Sequence, residues 1–257
     1  KSFKIYLLHA PFVLRICTFI FIVLILARPQ STNSWKDSET EGIDIMMCLD
    51  TSTSMLAEDI KPNRIQAAED VAAEFINGRP NDNIGLTLFA AESFTQCPLT
   101  IDHGVLLNLF QSIKAGMLPD GTAIGMGLAN AVSHLKNSKA KSKVIILLTD
   151  GSNNMGDISP LTAAEIARTY GIRIYTIGIG SNGTAAYPVQ VGGTIQYISM
   201  PVEIDEKTLT QIAGITDGIY YRATSRSKLE KIYQEIDKLE KTKLNVKSFN
   251  KRTEEYQ

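Results

Sequence analysis

The sequence predicts an α/β protein on a doubly wound, mostly parallel sheet flanked by helices. Short apolar runs alternate with amphipathic helical stretches across residues 42–240. The runs Val144–Leu148 and Ile172–Ile179 are almost continuously apolar, as strands covered on both faces must be. Two strand ends carry the same residue, at Leu49-Asp50 and Thr149-Asp150. In sheets of this class ligands bind beyond the carboxyl ends of the strands, where the strand order reverses, so these acids mark where to look for a site.

The chain opens on its least globular part. Pro11–Ala27 (PFVLRICTFIFIVLILA) is broken only by Arg15. With Ile5–Ala10 added, residues 5–28 reach the roughly 20 residues a helix needs to cross a bilayer, and a transmembrane helix is expected there. LARPQS has no small-x-small cleavage site, which argues against a signal peptide. Lys1, Lys4 and Arg15 precede or begin the span, whereas Arg28 and Lys36 follow it among Asp37, Glu39 and Glu41. That bias leans towards an N-terminus in the cytoplasm and a domain outside it. Residues 29–41, holding Trp35, read as a polar linker.

The domain, residues 42–240, follows as a series of elements. Ile43–Leu49 is a strand. Arg64–Gly78 carries apolar residues at Ile65, Ala68, Val71, Ala72, Phe75 and Ile76, a helical stripe closed by glycine. Ile84–Ala90 and Ser93–Leu99 read as strands around a turn, and Val105–Ile113 and Ala123–Leu135 as helices. After the strand Val144–Leu148 come a helix over Leu161–Tyr170 and the strand Ile172–Ile179. The last elements are a helix at Glu206–Ala213, a short strand at Ile219–Arg222 and a closing helix over Lys228–Leu239. Ala185–Ser199 interrupts this alternation with two β-like runs around Gly192-Gly193, a hairpin signal. It reads equally as a decorative surface loop or as a partner-specific arm. Residues 241–257 read as a polar tail.

Apolar residues at 44% and charged residues at 21% suit a globular core, and a net charge of -1 offers no basic face for nucleic acid. Cys17, Cys48 and Cys97 lack CxxC spacing, which argues against zinc and against a disulfide framework. Cys48 reads as a small core residue, with a Cys48–Cys97 bridge the weaker alternative.

Asp50, Ser52 and Ser54 alternate just after a strand, so their oxygens can converge on one point. Asp150 ends a second buried strand, and Thr122 precedes a helix in Asp120-Gly121-Thr122. Each piece alone is more often a helix cap or a turn, but together they read as a site for a hard divalent cation: Mg2+, or Mn2+ or Ca2+. With only two of the five groups charged, such a cation keeps positions for water and for an incoming carboxylate.

DTSTS resembles the DxSxS of the metal-ion-dependent adhesion site in von Willebrand factor A domains. The resemblance covers roughly Ile43–Leu239 and implies that fold, with Ser52, Ser54 and Thr122 holding a metal directly and Asp50 and Asp150 largely through water. An acidic residue of a protein partner would complete the shell. SMLAEDIKPNRIQAA, CPLTID, LLTDGSNNMGDISPLTAAEIA, IYTIGIG and LILARPQ are similar to the membrane-anchored aerotolerance-operon Bat proteins, BatA-like ones in particular. That resemblance implies a bacterial inner membrane with the domain on the periplasmic side, a further membrane helix after the tail 241–257, and partnership with other Bat proteins and a MoxR-type AAA+ ATPase, in stress tolerance.

Two rival readings are weaker. A Mg2+-dependent phosphohydrolase of the haloacid-dehalogenase type needs a second Asp where Ser52 stands, and His9, His103 and His134 lie outside the motif loops. A scaffold with an empty site is the other. Gly125-x-Gly127 is too short for a nucleotide loop, and no G-x-x-x-x-G-K-[ST] string occurs. Glu58 and Asp59 read as a solvated helix-start cluster ahead of a pairing with Lys61 or Arg64. The four lysines between Lys136 and Lys143 read as a solvated loop end.

Overall fold

The structure, a computed structural model, describes residues 11, 12, 14–20, 22, 42–191 and 194–254. It divides into two units, residues 1–39 and 40–257. In the first, the described residues are helical and leave Phe12, Leu14, Phe19 and Ile20 exposed. Most of the expected transmembrane helix over 5–28, and all of the expected linker over 29–41, lie outside the described residues. Among the described residues no helix is long and apolar enough to cross a membrane.

The second unit runs β1 (Asp44–Asp50), a 3-10 turn (Thr53–Leu56), α1 (Arg64–Asn77), β2 (Asn83–Phe89), β3 (Ser93–Thr100), α2 (His103–Gln111), α3 (Ile124–Leu135), β4 (Lys143–Thr149) and α4 (Pro160–Thr169). It continues through β5 (Ile172–Ile179), β6 (Thr184–Val191), β7 (Thr194–Pro201), α5 (Glu206–Ile215), β8 (Tyr220–Ala223) and α6 (Arg226–Glu254). The main sheet has the order β3-β2-β1-β4-β5-β8, parallel except for β3 at one edge. The chain leaves β1 in one direction for β2 and later returns to its other side as β4, so the order reverses between β1 and β4. The doubly wound expectation holds.

Alternation along β1 explains the two layers. Ile45, Met47 and Leu49 pack with α1, α2 and α6 on one face, whereas Met46 and Cys48 pack with α3, α4 and α5 on the other. Cys97 belongs to the first layer and Cys48 to the second, and both are free. The sheet itself separates them, so the alternative bridge is excluded. Gly125 and Gly127 serve packing: a Cβ at Gly125 would lie 1.9 Å from the Ile158 carbonyl oxygen, so only glycine lets α3 approach the chain entering α4.

Caps set the helix starts. Asn63 accepts from Gln66 N, Asp102 from Val105 N, Ser159 from Thr162 N and Asp205 from Thr208 N. Asp102 starts α2 at His103, two residues ahead of the expected apolar stripe. The closing helix differs most from expectation, continuing from the expected end at Leu239 to Glu254. Its continuation is mostly polar, with four lysines and Arg252 that favour a helix among weaker formers such as Asn245 and Thr253, and Lys241 pairs with Asp237 one turn back at 2.8 Å.

Where α6 passes the base of the sheet, Glu240 is 1% exposed and accepts hydrogen bonds from Ser142 Oγ (2.7 Å) and Tyr175 OH (2.6 Å), and it pairs with Arg173. Burial alone would raise its pKa; the Tyr175 and Ser142 hydrogen bonds and the Arg173 charge outweigh that and hold it below the usual range. The stability it contributes is therefore present above the ordinary glutamate pKa and lost as pH falls. Glu240→Ala should destabilise the fold by about 3 kcal/mol, the scale for removing one partner of a buried pair. Urea unfolding at neutral pH checks this, and an unchanged midpoint would refute the anchoring role.

Candidate functional site

The parallel register sets Leu49 beside Leu148, so Asp50 and Thr149 end adjacent strands at the reversal point. Asp50 is fully buried. Its Oδ1 accepts from Ser52 N at 2.9 Å and its Oδ2 from Thr149 Oγ1 at 2.6 Å. The chain then turns through Ser52 into the 3-10 turn, which brings Ser52 Oγ and Ser54 Oγ within 2.9 Å of each other. Ser54 Oγ in turn donates to Asp150 Oδ1 at 2.7 Å. Four of the five expected residues thus form one hydrogen-bonded group.

Thr122, also buried, has its hydroxyl beside the residue that follows Asp150: a Cβ on Gly151 would lie 3.4 Å from Thr122 Oγ1. Its loop is tied to the loop after β4 by Asn154, whose Oδ1 accepts from Thr122 N at 2.8 Å and whose N–H reaches the Thr122 carbonyl at 3.0 Å. Gly121 takes φ +140, a conformation open to glycine, and a Cβ there would meet Met155 at 2.9 Å. Asp120 accepts from both the N–H (3.0 Å) and the Oγ1 (2.9 Å) of Thr53, clamping this loop to the first one.

The expected solvated cluster at the start of α1 divides in two. Glu58 stays at the surface but makes the alternative pairing with Lys61 at 2.8 Å, and it accepts from Tyr197 OH at 2.8 Å. Asp59 and Arg64 do not stay there. The Arg64 side chain is 1% exposed, donates to Asp59 through Nε and Nη2 at 2.8 Å each, and reaches Asp150 Oδ2 through Nη1 at 2.6 Å. The same Nη1 lies 3.3 Å from Tyr187 OH of the hairpin. The first residue of α1 points inward because the buried Asp150 carboxylate needs a counter-charge. The hairpin is present as β6 and β7, and β6 is fastened to this loop by Glu58 N donating to the Ala186 carbonyl at 3.0 Å.

Residues 44–235 match the family model for the von Willebrand factor type A domain. The chain belongs to that family. An uncharacterised protein of Borreliella burgdorferi is 30% identical to the von Willebrand factor type A chain described above over 228 residues, 88% of this chain and 67% of its relative. The crystal structure of the conserved hypothetical protein BatB from Bacteroides thetaiotaomicron superposes with a TM-score of 0.68 at 31% identity, covering 78% of this chain and 100% of that one. An aerotolerance-related membrane protein from Bacteroides fragilis gives 0.66 at 30% identity, covering 77% and 100%. The Bat-family resemblance read from the sequence is therefore supported.

The donor set of this von Willebrand factor A domain suits a hard divalent cation. The Ser52–Ser54 oxygen separation of 2.9 Å is close to that between neighbouring oxygens around octahedral Mg2+ with bonds of about 2.1 Å. Among the described residues no group of three or more His, Cys, Asp or Glu could hold a metal, so hydroxyls must supply much of any shell here. The described histidines serve elsewhere: His103 Nε2 bonds the Asp82 carbonyl at 2.9 Å, and His134 Nε2 bonds Thr95 Oγ1 at 2.7 Å.

Burial, then the neighbouring Asp150 charge, pushes Asp50 up to about 7 against the lowering by Ser52 and Thr149. Burial also raises Asp150, in spite of Arg64. A raised carboxyl pKa favours folding most when protonated, so this contribution is full below the ordinary Asp range and lost as pH rises through about 7. In chelator, raising the pH from about 5 to about 8 should lower the unfolding temperature of the wild type more than that of Asp50→Asn. Mg2+ at the higher pH should restore the wild type alone. Parallel pH profiles for the two proteins, read by thermal unfolding, would disprove this.

Proposed function

We propose that this domain is a divalent-cation-dependent protein-binding module, held at the bacterial inner membrane by residues 5–28 and facing the periplasm. The observation that carries the proposal is the convergence of Asp50, Ser52, Ser54 and Asp150 in one buried, hydrogen-bonded group at the strand-order reversal. Ser52, Ser54 and Thr122 would hold Mg2+, Mn2+ or Ca2+ through their hydroxyls, with Asp50 and Asp150 acting largely through water. The bound cation supplies a Lewis-acidic point that a carboxylate of a partner protein can ligate.

The surrounding residues preorganise that point. Thr149 and Ser52 N fix the Asp50 carboxylate, and Arg64 holds one oxygen of Asp150 and leaves the other facing Ser54. Asp120 and Asn154 keep the three loops in register with one another. The described histidines lie outside these loops, so hydroxyls and carboxylates make up the side-chain donors that face the cation position.

The Bacteroides neighbour described as an aerotolerance-related membrane protein supports placing the module in a membrane-associated Bat assembly. A MoxR-type ATPase is the further partner that the family resemblance implies. The test is affinity capture from solubilised membranes with the full-length protein. Mg2+ or Mn2+ should strengthen capture at least about tenfold over chelator, equivalent to about 1.4 kcal/mol. Asp50→Ala should abolish the difference while circular dichroism shows it folded. Equal capture in metal and in chelator would sink the proposal.

A further inference from the structure

Beside the cation loop the domain has a groove of about 820 Å3, with Ser54 and Leu56 of the 3-10 turn on one wall and Tyr187, Val189 and Met200 of the β6–β7 hairpin on the other. Ser54 belongs both to this groove and to the hydrogen-bonded group around Asp150. Anything seated in the groove therefore lies next to the cation position. The hairpin wall is apolar and open, with Met200 47% exposed on β7. Methionine is an adaptable contact for an apolar partner.

We infer that the groove is a second recognition element, taking the apolar side chain that adjoins the ligating carboxylate in an extended segment of the partner protein. This inference rests on the cation-binding reading above and specifies the partner's chemistry. Charge supports an acidic occupant. A divalent cation together with Arg64 balances Asp50, Asp59 and Asp150, and Lys61 balances Glu58, which leaves only Asp120, whose carboxylate is engaged by Thr53. Loading the cation thus removes most of the negative charge that would repel a carboxylate from the empty loop.

The backbone decides how the occupant is read. Ala186 turns its carbonyl outward to Glu58 N, and alternation along the strand turns position 188 the same way. That position is Pro188, which has no N–H to offer an added strand. Strand addition along this edge is blocked, which leaves recognition to side chains in the groove. The fastening of the hairpin through Ala186, and through Tyr187 to Arg64, keeps that wall at a fixed distance from the cation loop.

The test uses the full chain and fluorescent, end-blocked tetrapeptides: Gly-Asp-Leu-Gly, Gly-Asp-Gly-Gly and Gly-Asn-Leu-Gly, titrated by polarisation in Mg2+ and in chelator. In Mg2+ the first should bind about tenfold tighter than the second, just below the range for fully burying one leucine side chain, as a partly open groove implies. The third should bind weakly in both conditions. Met200→Ser and Val189→Ser should each remove most of that leucine advantage and leave Gly-Asp-Gly-Gly binding unchanged, a readout that misfolding could not give. Equal binding of the first two peptides, both dependent on Mg2+, would overturn the groove and leave the cation site standing. Mg2+-independent binding of every peptide would overturn both. A dimer in sedimentation that dissociates in Met200→Ser would show a second copy as the occupant and overturn the inference.

Discussion

Two carboxylates, Asp50 and Asp150, sit out of solvent at the ends of neighbouring parallel strands, and much of the surrounding structure exists to make that arrangement tolerable. Like charges brought together in a dry place are costly. The chain meets the cost from several directions: Thr149 and Ser52 N on one carboxylate, Ser54 and Arg64 on the other. Arg64 requires Asp59 as its own partner, and Asp59 accepts the Ser181 N–H at 2.6 Å, at the start of the segment that leads into the hairpin. An electrostatic demand at the centre of the site thus reaches, link by link, to the arm beside it.

The legible part of the site was the part whose signal is local. Asp50, Ser52 and Ser54 share one short stretch, and an acid closing an apolar run marks a strand end without knowledge of the fold. Thr122 could be placed because a turn and a helix start flank it. Arg64 was a different matter. In sequence it is an ordinary cation opening an ordinary helix, and its partner Asp150 lies 86 positions away. Only the three-dimensional crossing of α1 over the ends of β1 and β4 reveals that it faces inward. Asp120 and Asn154 escaped for the same reason, since each holds a loop distant in sequence.

The fold itself was readable because buried parallel strands leave a nearly continuous apolar trace, and strands and helices came out close to their expected limits. The closing helix was the main exception. Apolar periodicity ends near Leu239, but the backbone continues helical to Glu254, through four lysines and Arg252 that favour a helix. Polarity there does not mark the end of an element. The hairpin shows the converse: its two strands were visible from their composition, whereas its fastening to the cation loop through Ala186, Tyr187 and Tyr197 was not.

The Glu240 anchor has a mechanical consequence. Asp44, where the chain enters the sheet, donates its N–H to the Ser142 carbonyl at 3.1 Å, and the Ser142 hydroxyl donates to Glu240 at 2.7 Å. Entry strand and closing helix therefore meet at a single residue, at the pole of the sheet opposite the cation loops. Tension applied through the two flanking segments would pass directly between them across Ser142. The strand ends that carry Asp50 and Asp150, about 20 Å away along seven-residue strands, would stay slack while the base takes the strain.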